Sequence, residues 1–436
     1  MPDRILDTNG ANPFLPPDIY IPDGEPKVFG CRVYLYGSHD VFGGGYCCGD
    51  YHVFSAPVDD LTKWTDHGVS FRSRDEYGNI ADVPWSTADL YAPDVVKKGK
   101  KYYLYFCLSD GSEGVAVSDS PSGPFSDAKR ITMDGRPVEG IDPSVLEDGG
   151  RFYYTWGQFS MKAAELCDDM CTLKSETFHD AVITNNEGAQ GFHEGSSLRK
   201  IGDKYCIIYA SEWKSEFPNK SAAPTKLDYA VSDNVYGPYE RKGTVVDNAG
   251  IDPKSWNCHG SVIKIGERWY VFYHGSSNNT EFNRRARVER IKVDEENAVI
   301  SRAEITSNGF LDALPAGLIK SPANACRFFG GAFVTQRRGG SFPIVNIKKT
   351  GGCEYRYVRF SSGRYRLKVG YKPFEDCLLR VTVNGIIAAD MLLPADKAQA
   401  ECEFETESGD SVLAFTFFGG EGVLCELESF EIKEFG

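Results

Sequence analysis

The sequence predicts an all-β protein, in which a five-bladed β-propeller is followed by a jelly-roll-like β-sandwich. Three observations lead to this prediction. Aromatic residues make up 13% of the chain and there are 45 glycines, which favours short strands and tight turns. A strand–turn–strand unit recurs five times at intervals of roughly fifty to seventy residues, a spacing typical of propellers. Beyond residue 315 the repeat gives way to closely spaced, strictly alternating strands.

Each repeat begins with a polar residue and then runs through a short strand, a glycine turn and an aromatic strand. The aromatic strands are predicted at 33–37, 102–106, 152–156, 205–209 and 269–274. Their side chains alternate with a period of two, as expected for β-strands. The alternative is a sandwich of unrelated hairpins. The matching repeat ends Gly123-Pro124-Phe125 and Gly237-Pro238-Tyr239 count against it. Radial repetition also leaves only short sheet edges exposed.

The C-terminal part carries the pattern of an antiparallel sandwich. Its alternating segments are 355–360, 364–369, 379–383, 412–417 and 427–432. Half-buried strands separated by short turns are typical of this architecture. We therefore predict a propeller domain over residues 12–315 and a sandwich domain over 325–436.

Charge and composition restrict the classes of partner. The formal net charge is −14, and the acidic residues are spread along the chain, which argues against nucleic acid and anionic membranes as partners. The N-terminal residues show no apolar export signal, so we expect a cytoplasmic protein. The 13 cysteines follow no regular spacing and are expected to be reduced thiols.

The first residues of the repeats carry the candidate chemistry. Asp23, Asp142 and His259 each lie ten residues before the aromatic strand of their repeat, and Glu194 lies eleven before it. The innermost strand of every blade faces one central channel, so these side chains are expected to meet at its mouth. Each acid taken alone could be an ordinary turn residue. Three carboxylates and a histidine at matching positions favour a functional site instead.

Paired carboxylates are the groups that glycoside hydrolysis requires. One carboxyl must be protonated to release the leaving oxygen, and the other must be ionised to activate water or attack carbon. Like charges held close together push the two pKa values apart, which lets an acid and a base coexist at one pH.

These motifs resemble glycoside hydrolase family 43 over nearly all of residues 12–310. The segments that carry the resemblance are Pro22-Asp23, Gly37-Ser38-His39-Asp40, Tyr91-Ala92-Pro93-Asp94, Ile141-Asp142-Pro143-Ser144, His193-Glu194-Gly195 and His259-Gly260-Ser261-Val262. The resemblance implies a five-bladed propeller and an inverting enzyme that acts mostly on arabinofuranosyl and xylosyl linkages.

The resemblance also implies roles for the three acids. Asp23 would be the general base, Glu194 the general acid, and Asp142 the residue that orients Glu194 and adjusts its acidity. Inversion requires base and acid carboxyls roughly 6.5–9.5 Å apart, with room for a water. The family pattern places a proline directly after the base, whereas this chain reads Asp23-Gly24-Glu25-Pro26. Alignment on the proline would make Glu25 the base, and this alternative stays open.

Further residues are assigned to the substrate. Arg284 resembles a family arginine that points at the base and the sugar, although the adjacent Arg285 leaves the choice open. His39, in the second motif, is also assigned to substrate binding. Tryptophans near the motifs could stack on sugar faces or simply pack in the core. They are Trp85, Trp213 and Trp256.

A metal ion and a second sugar site are implied by resemblance alone. His259 resembles the axial histidine of the family, which implies a calcium ion on the propeller axis. The other interpretation is a hydrogen-bonded core histidine, since calcium needs six to eight oxygen ligands. Residues 325–436 resemble a carbohydrate-binding module of family 6, on the cue of Gly363-Arg364-Tyr365 and Phe417-Phe418-Gly419-Gly420. A purely structural sandwich is the alternative.

Together these observations predict an inverting glycosidase that removes arabinose or xylose from plant-derived oligosaccharides. The first alternative is a propeller that binds sugar without catalysis. The second is a related five-bladed glycosidase acting on another sugar, such as galactose.

Overall fold

The computed structural model describes residues 3–186, 190–212, 224–254, 256–319 and 321–435. Strands dominate these residues. The helices in the described ranges are three short 3₁₀ turns, at Ser175–Thr177, Ala316–Leu318 and Pro322–Asn324. None of them has the length and apolar character needed to cross a bilayer.

The first two blades are antiparallel sheets whose strands follow one another from the axis outward. Blade 1 consists of Glu25–Phe29, Arg32–Tyr36, Asp50–Pro57 and Thr65–Arg72, with Arg4–Ile5 added at the outer edge. Blade 2 consists of Asp94–Lys98, Lys101–Cys107, Glu113–Ser118 and Ser126–Arg130. A small sheet follows, made of Thr132–Met133, Arg136–Pro137 and Thr172–Leu173.

The remaining three blades repeat this order. Blade 3 consists of Ser144–Asp148, Arg151–Trp156, Ser160–Glu165 and His179–Thr184. Blade 4 consists of Phe192–Ile201, Lys204–Ser211, Lys226–Ser232 and Glu240–Asp247. Blade 5 consists of Ser261–Ile265, Arg268–Gly275 and Arg285–Ile291, and is followed by the hairpin Val293–Asp294 with Val299–Ile300.

The blades form a closed circle because each packs against both neighbours through a buried apolar cluster. Six such clusters are found in the described residues, and five of them each join one pair of adjacent blades. Representative pairs are Tyr36 with Leu104, Tyr105 with Tyr154, Tyr153 with Tyr209, Ile208 with Val271, and Phe272 with Leu35. The last pair joins blade 5 to blade 1. Apolar burial on both faces of every blade therefore holds the propeller together.

A polar belt crosses the axis beneath these clusters, built from one residue of each inner strand. The belt residues are Glu25, Asp94, Ser144, Ser197 and Ser261. Lys27 of blade 1 pairs with Asp94 at 2.7 Å, and Asp94 accepts the backbone N–H of Val145. Ser144 Oγ accepts the Leu198 N–H, and Ser197 Oγ lies 3.0 Å from Ser261 Oγ. Arg199 of blade 4 bonds to both Ser261 and Glu25, which closes the belt back onto blade 1.

The belt explains the spacing seen in the sequence. Asp23, Asp142 and His259 lie two residues before Glu25, Ser144 and Ser261 respectively. Asp23 and Asp142 have left-handed φ values of 58° and 57°, so the chain turns just before each inner strand and carries these residues into a separate layer above the belt. Glu194 lies three residues before Ser197, and the pairing of blade 4 shows register shifts around Glu194. A β-bulge there takes up the one extra residue.

The C-terminal residues form a sandwich of two sheets. One sheet orders Leu314–Pro315, Gly352–Phe360, Gly409–Phe418, Cys377–Val383 and Ile386–Leu393, with Arg327–Phe329 paired alongside Gly352–Phe360. The other orders Phe333–Val334, Ile344–Lys348, Val423–Phe435, Gly363–Pro373 and Gln399–Thr406. Inward-facing side chains of both sheets share one core, which includes Leu367, Val369, Leu379, Val381 and Phe415. The predicted fold class, a propeller followed by a sandwich, is confirmed.

Candidate active site

A pocket of about 260 Å³ opens at one end of the axis, directly above the polar belt. Its lining comes from all five blades and comprises Asp23, Tyr46, Cys47, Tyr91, Ala92, Ile141, Asp142, Gln158, His193, Glu194, Trp256, Cys258, His259 and Arg284. The three predicted carboxylates and the predicted arginine therefore share one cavity. At this volume the cavity is slightly smaller than typical ligand pockets, which span ~300–1,000 Å³.

Asp23 is held by hydrogen bonds on two sides. Ser38 Oγ donates to Asp23 Oδ2 at 2.6 Å, and Arg284 Nη1 donates to Asp23 Oδ1 at 3.1 Å. The backbone N–H of Asp23 donates to His274 Nδ1 at 3.2 Å. The residue has φ of +58°, a left-handed conformation that Asp tolerates better than most side chains. The carboxyl is thus fixed in orientation at the floor of the pocket.

The charges around Asp23 keep it ionised. Burial alone would raise its pKa, but neighbouring positive charges, of which Arg284 is the largest, outweigh burial, so that the pKa falls below the ordinary value of 3.8. Burial lowers the pKa of His274 to about 3, so its imidazole is neutral next to Asp23. An ionised carboxylate with a fixed orientation is suited to accept a proton from water.

Arg284 is positioned by a second carboxylate. Its Nε and Nη2 donate to the two oxygens of Asp40 at 3.0 and 2.9 Å, a bidentate pair that leaves Nη1 for Asp23. The guanidinium also lies over the ring of Tyr46, 5.1 Å from its centroid. Arg285 points away from the pocket and packs on Tyr20 and on Phe342 of the sandwich. The geometry therefore distinguishes the two arginines and places Arg284 in the site.

Asp142 is buried in the wall of the pocket on the blade 3 side. Its Oδ2 accepts the backbone N–H of Gly195 at 3.0 Å, which ties it to the residue after Glu194. Burial raises the pKa of Asp142 to about 7; the charges of Glu194 and Asp23 add to this rise, and His259 opposes it. Gly195 has φ of +70°, and a Cβ there would lie 2.5 Å from the Cys258 carbonyl oxygen. Only glycine suits this crowded position.

Glu194 is oriented by two polar side chains. Gln158 Nε2 donates to Glu194 Oε2 at 2.6 Å. His193 Nε2 lies 3.6 Å from the same oxygen, while His193 Nδ1 contacts Glu212 at 2.8 Å. The side chain of Glu194 is 12% exposed and so reaches the pocket space. It remains accessible to a substrate oxygen.

Glu25, the alternative base, lies in the belt and not in the pocket lining. It is fully buried, pairs with Arg199, and its Oε1 lies 3.3 Å from His259 Nε2. Burial would raise its pKa, but the Arg199 charge and the His259 hydrogen bond lower it well below its ordinary value. Both of its oxygens are therefore committed to structural partners, and Asp23 is the carboxylate that reaches the pocket.

The donors around His259 do not fit the calcium ion that the resemblance implies. Calcium prefers six to eight oxygen ligands. The belt carboxylates Glu25 and Asp94 are already paired with Arg199 and Lys27, so two fixed cations occupy the axis. Burial opposes a charge on His259, but the hydrogen bond to Glu25 and the charge of Asp142 outweigh it and raise its pKa to about 9. His259 Nδ1 is buried with no hydrogen-bond partner in the described residues.

Two predicted substrate residues lie elsewhere, and one falls outside the described ranges. His39 contacts Asp50 at 2.7 Å in blade 1 and is absent from the pocket lining. Trp85 donates to Ser112 and stacks on Phe106, so the structure corrects its assignment from sugar contact to packing. Trp213 lies outside the described residues. Trp256 does line the pocket.

Several pocket residues were missed by sequence reasoning. In Gly37-Ser38-His39-Asp40, strand-like alternation places Ser38 and Asp40 on the same side and His39 on the other, so period-two patterning could have selected the right pair. Gln158 and Cys258 have no comparable signal. They reach the site from loops whose course the sequence does not reveal.

The fold and the site together define a glycoside hydrolase: a propeller whose pocket combines an ionised carboxylate, an arginine and a close carboxyl pair. Comparison with known proteins agrees. The family model for glycosyl hydrolases family 43 matches residues 14–299. A xylosidase/arabinosidase from Thermoclostridium stercorarium is 36% identical over 410 residues, which are 84% of this chain and 82% of that protein. The chain belongs to glycosyl hydrolase family 43, and its substrate is a carbohydrate.

Further relatives and solved structures are similar to this chain. A xylosidase/arabinosidase from Bacteroides ovatus is 28% identical and covers 66% of this chain and 96% of its own. A family 43 β-xylosidase/α-arabinofuranosidase from a compost metagenome, solved with xylotriose in a calcium-free form, is similar with a TM-score of 0.55 and 26% identity, covering 68% of this chain and 97% of its own. An arabinoxylan arabinofuranohydrolase from Bacillus subtilis shares the fold over 98% of this chain and 99% of its own, with a TM-score of 0.55 and 19% identity.

Proposed function

We propose that this chain is an inverting, exo-acting glycosidase that removes arabinofuranosyl or xylosyl residues from plant-derived oligosaccharides. One observation carries the proposal. A carboxylate kept ionised by Arg284 and a close carboxyl pair on blades 3 and 4 line the same small pocket. An ionised base and a protonated acid on one sugar are what inversion requires.

Asp23 acts as the general base in this proposal. It removes a proton from a water molecule as the water oxygen attacks the anomeric carbon, and Ser38 and Arg284 fix the carboxylate for this step. Arg284 Nη1 also approaches the pocket space and can donate to a sugar hydroxyl. Because Asp40 holds the rest of the guanidinium, the arginine is positioned before substrate arrives.

Glu194 acts as the general acid and gives its proton to the glycosidic oxygen as the bond to the anomeric carbon breaks. Asp142 is a positioning residue that fixes the Gly195 backbone and, by its proximity, makes it costly for both carboxyls to ionise. The pKa of Asp142 is raised to about 7, so Asp142 keeps its proton until the pH approaches neutrality.

The sugar class rests on relatives and on the size of the pocket. The T. stercorarium and B. ovatus relatives are xylosidase/arabinosidases. A cavity of about 260 Å³ suits one terminal sugar better than an internal segment of a polymer. Exo action is part of the proposal, and release of internal fragments from polymer would contradict it.

The proposal also covers three further predictions made from the sequence: the calcium ion, the cytoplasmic location and the sugar-binding role of the sandwich. Calcium has no role in it, because Glu25, the carboxylate beside His259, is committed to Arg199 and His259. Adding Ca²⁺ to chelator-treated enzyme should leave the rate unchanged.

The cytoplasmic location is testable by cell fractionation. The sandwich is proposed as a sugar-binding module, and loss of oligosaccharide binding by the full chain on substitution of its loops would support that role.

Proton NMR of the reaction tests the proposal directly. The full chain is incubated with arabinoxylan and arabinan oligosaccharides, and with galactosides, while the anomeric signals are followed. We expect arabinose or xylose whose first-formed anomer is inverted, and its loss in Glu194→Gln. Glu267→Gln, on an exposed turn of blade 5, is the matched control and should behave as wild type. A retained anomer or turnover of galactosides alone would overturn the proposal, and binding without turnover would favour a non-catalytic propeller.

A further inference from the structure

A cluster of metal-binding side chains lies in blade 1, outside the pocket lining. Cys48, Asp50 and His52 occupy alternate positions where the third strand of blade 1 begins, so an extended chain presents them on one face. His39 approaches from the other end of the glycine-rich loop that precedes this strand. Residues 39 and 48 thus bracket a loop whose two ends meet at this cluster.

The donor atoms of the cluster lie close together. Cys48 Sγ is 3.4 Å from His39 Nδ1 and 3.5 Å from Asp50 Oδ1. His39 Nδ1 lies 2.7 Å from Asp50 Oδ1. Donor atoms of His39, Asp50 and His52 all fall within 4.8 Å of one another. Donor atoms of His39, Asp50 and His52 therefore converge on one point, and the Cys48 thiol adjoins two of them.

These separations match a tetrahedral zinc site. With Zn–N and Zn–O bonds of ~2.1 Å and a Zn–S bond of ~2.3 Å, neighbouring ligand atoms lie about 3.4–3.6 Å apart. The two Cys48 distances already fit. The His39–Asp50 contact would widen by about 0.7 Å when a metal replaces the shared proton. A thiolate, a carboxylate and two neutral imidazoles would balance the charge of a divalent ion.

A carboxylate behind the cluster orients one of the histidines. Asp66 Oδ1 lies 3.3 Å from His52 Nδ1, which leaves His52 Nε2 as the ring nitrogen to face the cluster. Asp66 is itself fixed by the backbone N–H of Gly68 at 2.8 Å. A carboxylate that receives the far N–H of a ligating histidine is the usual second partner in zinc sites.

We propose that His39, Cys48, Asp50 and His52 form a binding site for a zinc-class divalent ion. The side chains of His39, Asp50 and His52 are 20–30% exposed, so an ion can reach them from solvent. Another possible group, Asp23 with Cys258 and His274, is less suited. The Arg284 guanidinium already bonds to Asp23 and repels a second cation.

The site adjoins the catalytic machinery through the same loop. Asp40, next to His39, holds Arg284, and the Cys47 N–H donates to Asp40 Oδ1 at 2.9 Å. Cys47 Sγ also lies 3.4 Å from Arg284 Nη2. A metal bound to His39 and Cys48 would fix both ends of this loop and thereby the residues that position Arg284.

Metal titration of the full chain tests the proposal without relying on catalysis. Protein stripped of metal by dialysis against a chelator is titrated with Co²⁺ and then with competing Zn²⁺. We expect one equivalent per chain, with a near-ultraviolet thiolate-to-cobalt band that Zn²⁺ abolishes. Cys48→Ser should remove the band and weaken binding at least about a hundredfold, and Asp66→Asn should weaken it about ten- to a hundredfold.

Control variants locate the ion. Cys31→Ser, at the opposite end of the second strand of blade 1, should keep both the band and the affinity. Cys258→Ser should do the same. If binding survives Cys48→Ser, is lost in Cys258→Ser, or is absent from wild type, the proposal is overturned. Thermal melting provides a second readout: Zn²⁺ should raise the Tm of wild type and Cys31→Ser by a few degrees, and not that of His52→Gln.

Discussion

Asp23 and Glu25 are separated by a single glycine, and each faces an arginine, yet they serve different parts of the molecule. Asp23 lies in the pocket, where Arg284 and Ser38 leave its carboxylate next to open space. Glu25 lies one layer below, fully buried, with Arg199 and His259 as partners. A carboxylate paired with an arginine thus lines the pocket in one layer, whereas in the belt below it helps to close the ring of blades.

The comparison extends to other blades. Asp142 and Ser144 repeat the arrangement in blade 3, and His259 and Ser261 repeat it in blade 5. In each blade the upper residue lines the pocket, while the lower one bonds to the neighbouring blade. The lesson is that function and stability can be altered separately by residues only two positions apart.

The strongest test is substitution in the upper layer. Asp23→Asn keeps the shape of the side chain but removes the base, so we expect kcat/KM to fall by about 10²–10⁴-fold. The free energy of unfolding should change little, because Asp40 still balances the Arg284 charge. Kinetics and urea unfolding measured on the same preparation check both expectations. Equal losses of activity in Asp23→Asn and Glu25→Gln would contradict the division into layers.

Substitution in the lower layer should have the opposite effect. Arg199→Met leaves Glu25 buried without its ion-pair partner, and such a loss typically costs about 3–5 kcal/mol. The unfolding midpoint in urea should fall accordingly, while kcat/KM of the folded fraction stays within about tenfold of wild type. In Glu25→Gln/Arg199→Met neither charge remains, so the double variant should be more stable than Arg199→Met alone. A double variant no better than the single one would show that the ion pair is not the cause.

The pH dependence of kcat/KM should distinguish the ionisation of Asp23 from that of Asp142. Activity requires Asp23 ionised, and its lowered pKa places the acid limb of kcat/KM below about pH 3.8. The pKa of Asp142 is raised to about 7, so the profile should also change as pH passes about 7 and Asp142 gains a negative charge beside Glu194. Asp142→Asn cannot ionise, so this change near pH 7 should be lost in the variant.

The raised pKa of Asp142 also has a consequence for stability. From pH 3.8 to about 7 the folded state binds the Asp142 proton more tightly than the unfolded state does, so this residue's contribution to stability declines with rising pH. Asp142→Asn should remove that decline, measurable as unfolding free energies at pH 5 and 8. A change in activity near pH 7 that persists in Asp142→Asn, together with an unchanged stability profile, would show that Asp142 does not titrate in this range.

The sequence revealed the repeated layout and, through it, the residues on the axis. Asp23, Asp142, Glu194 and His259 were found because blade symmetry places equal positions side by side. The polar belt was not predicted, because its members differ in type from blade to blade, and only the folded ring shows that they bond to one another. Contacts such as Gln158 with Glu194 depend on loop paths, which no periodicity encodes.

The assignment of aromatic residues shows the same limit. Trp85 is near a motif in the chain, but its ring packs on Phe106 and beneath Arg130. Trp256 is less distinctive in sequence and yet lines the pocket, near the ring of Tyr46. Proximity to a motif along the chain does not determine which face of a loop a large side chain covers.

The smallest expected effect concerns Gln158, which donates to Glu194 from a loop of blade 3. Gln158→Leu removes a hydrogen bond to the acid without altering any charge, and bonds to ionisable groups are worth about 1.5–3 kcal/mol. We therefore expect kcat to fall about ten- to a hundredfold, with little change in KM, because the bond orients the acid and does not bind the sugar. Gln190→Leu, whose side chain bonds to the Tyr239 carbonyl away from the pocket, is the matched control and should leave kcat unchanged. If the two variants lose activity equally, Gln158 acts through folding alone. If only Gln158→Leu loses activity, catalysis also depends on a loop residue that the symmetry of the blades does not predict.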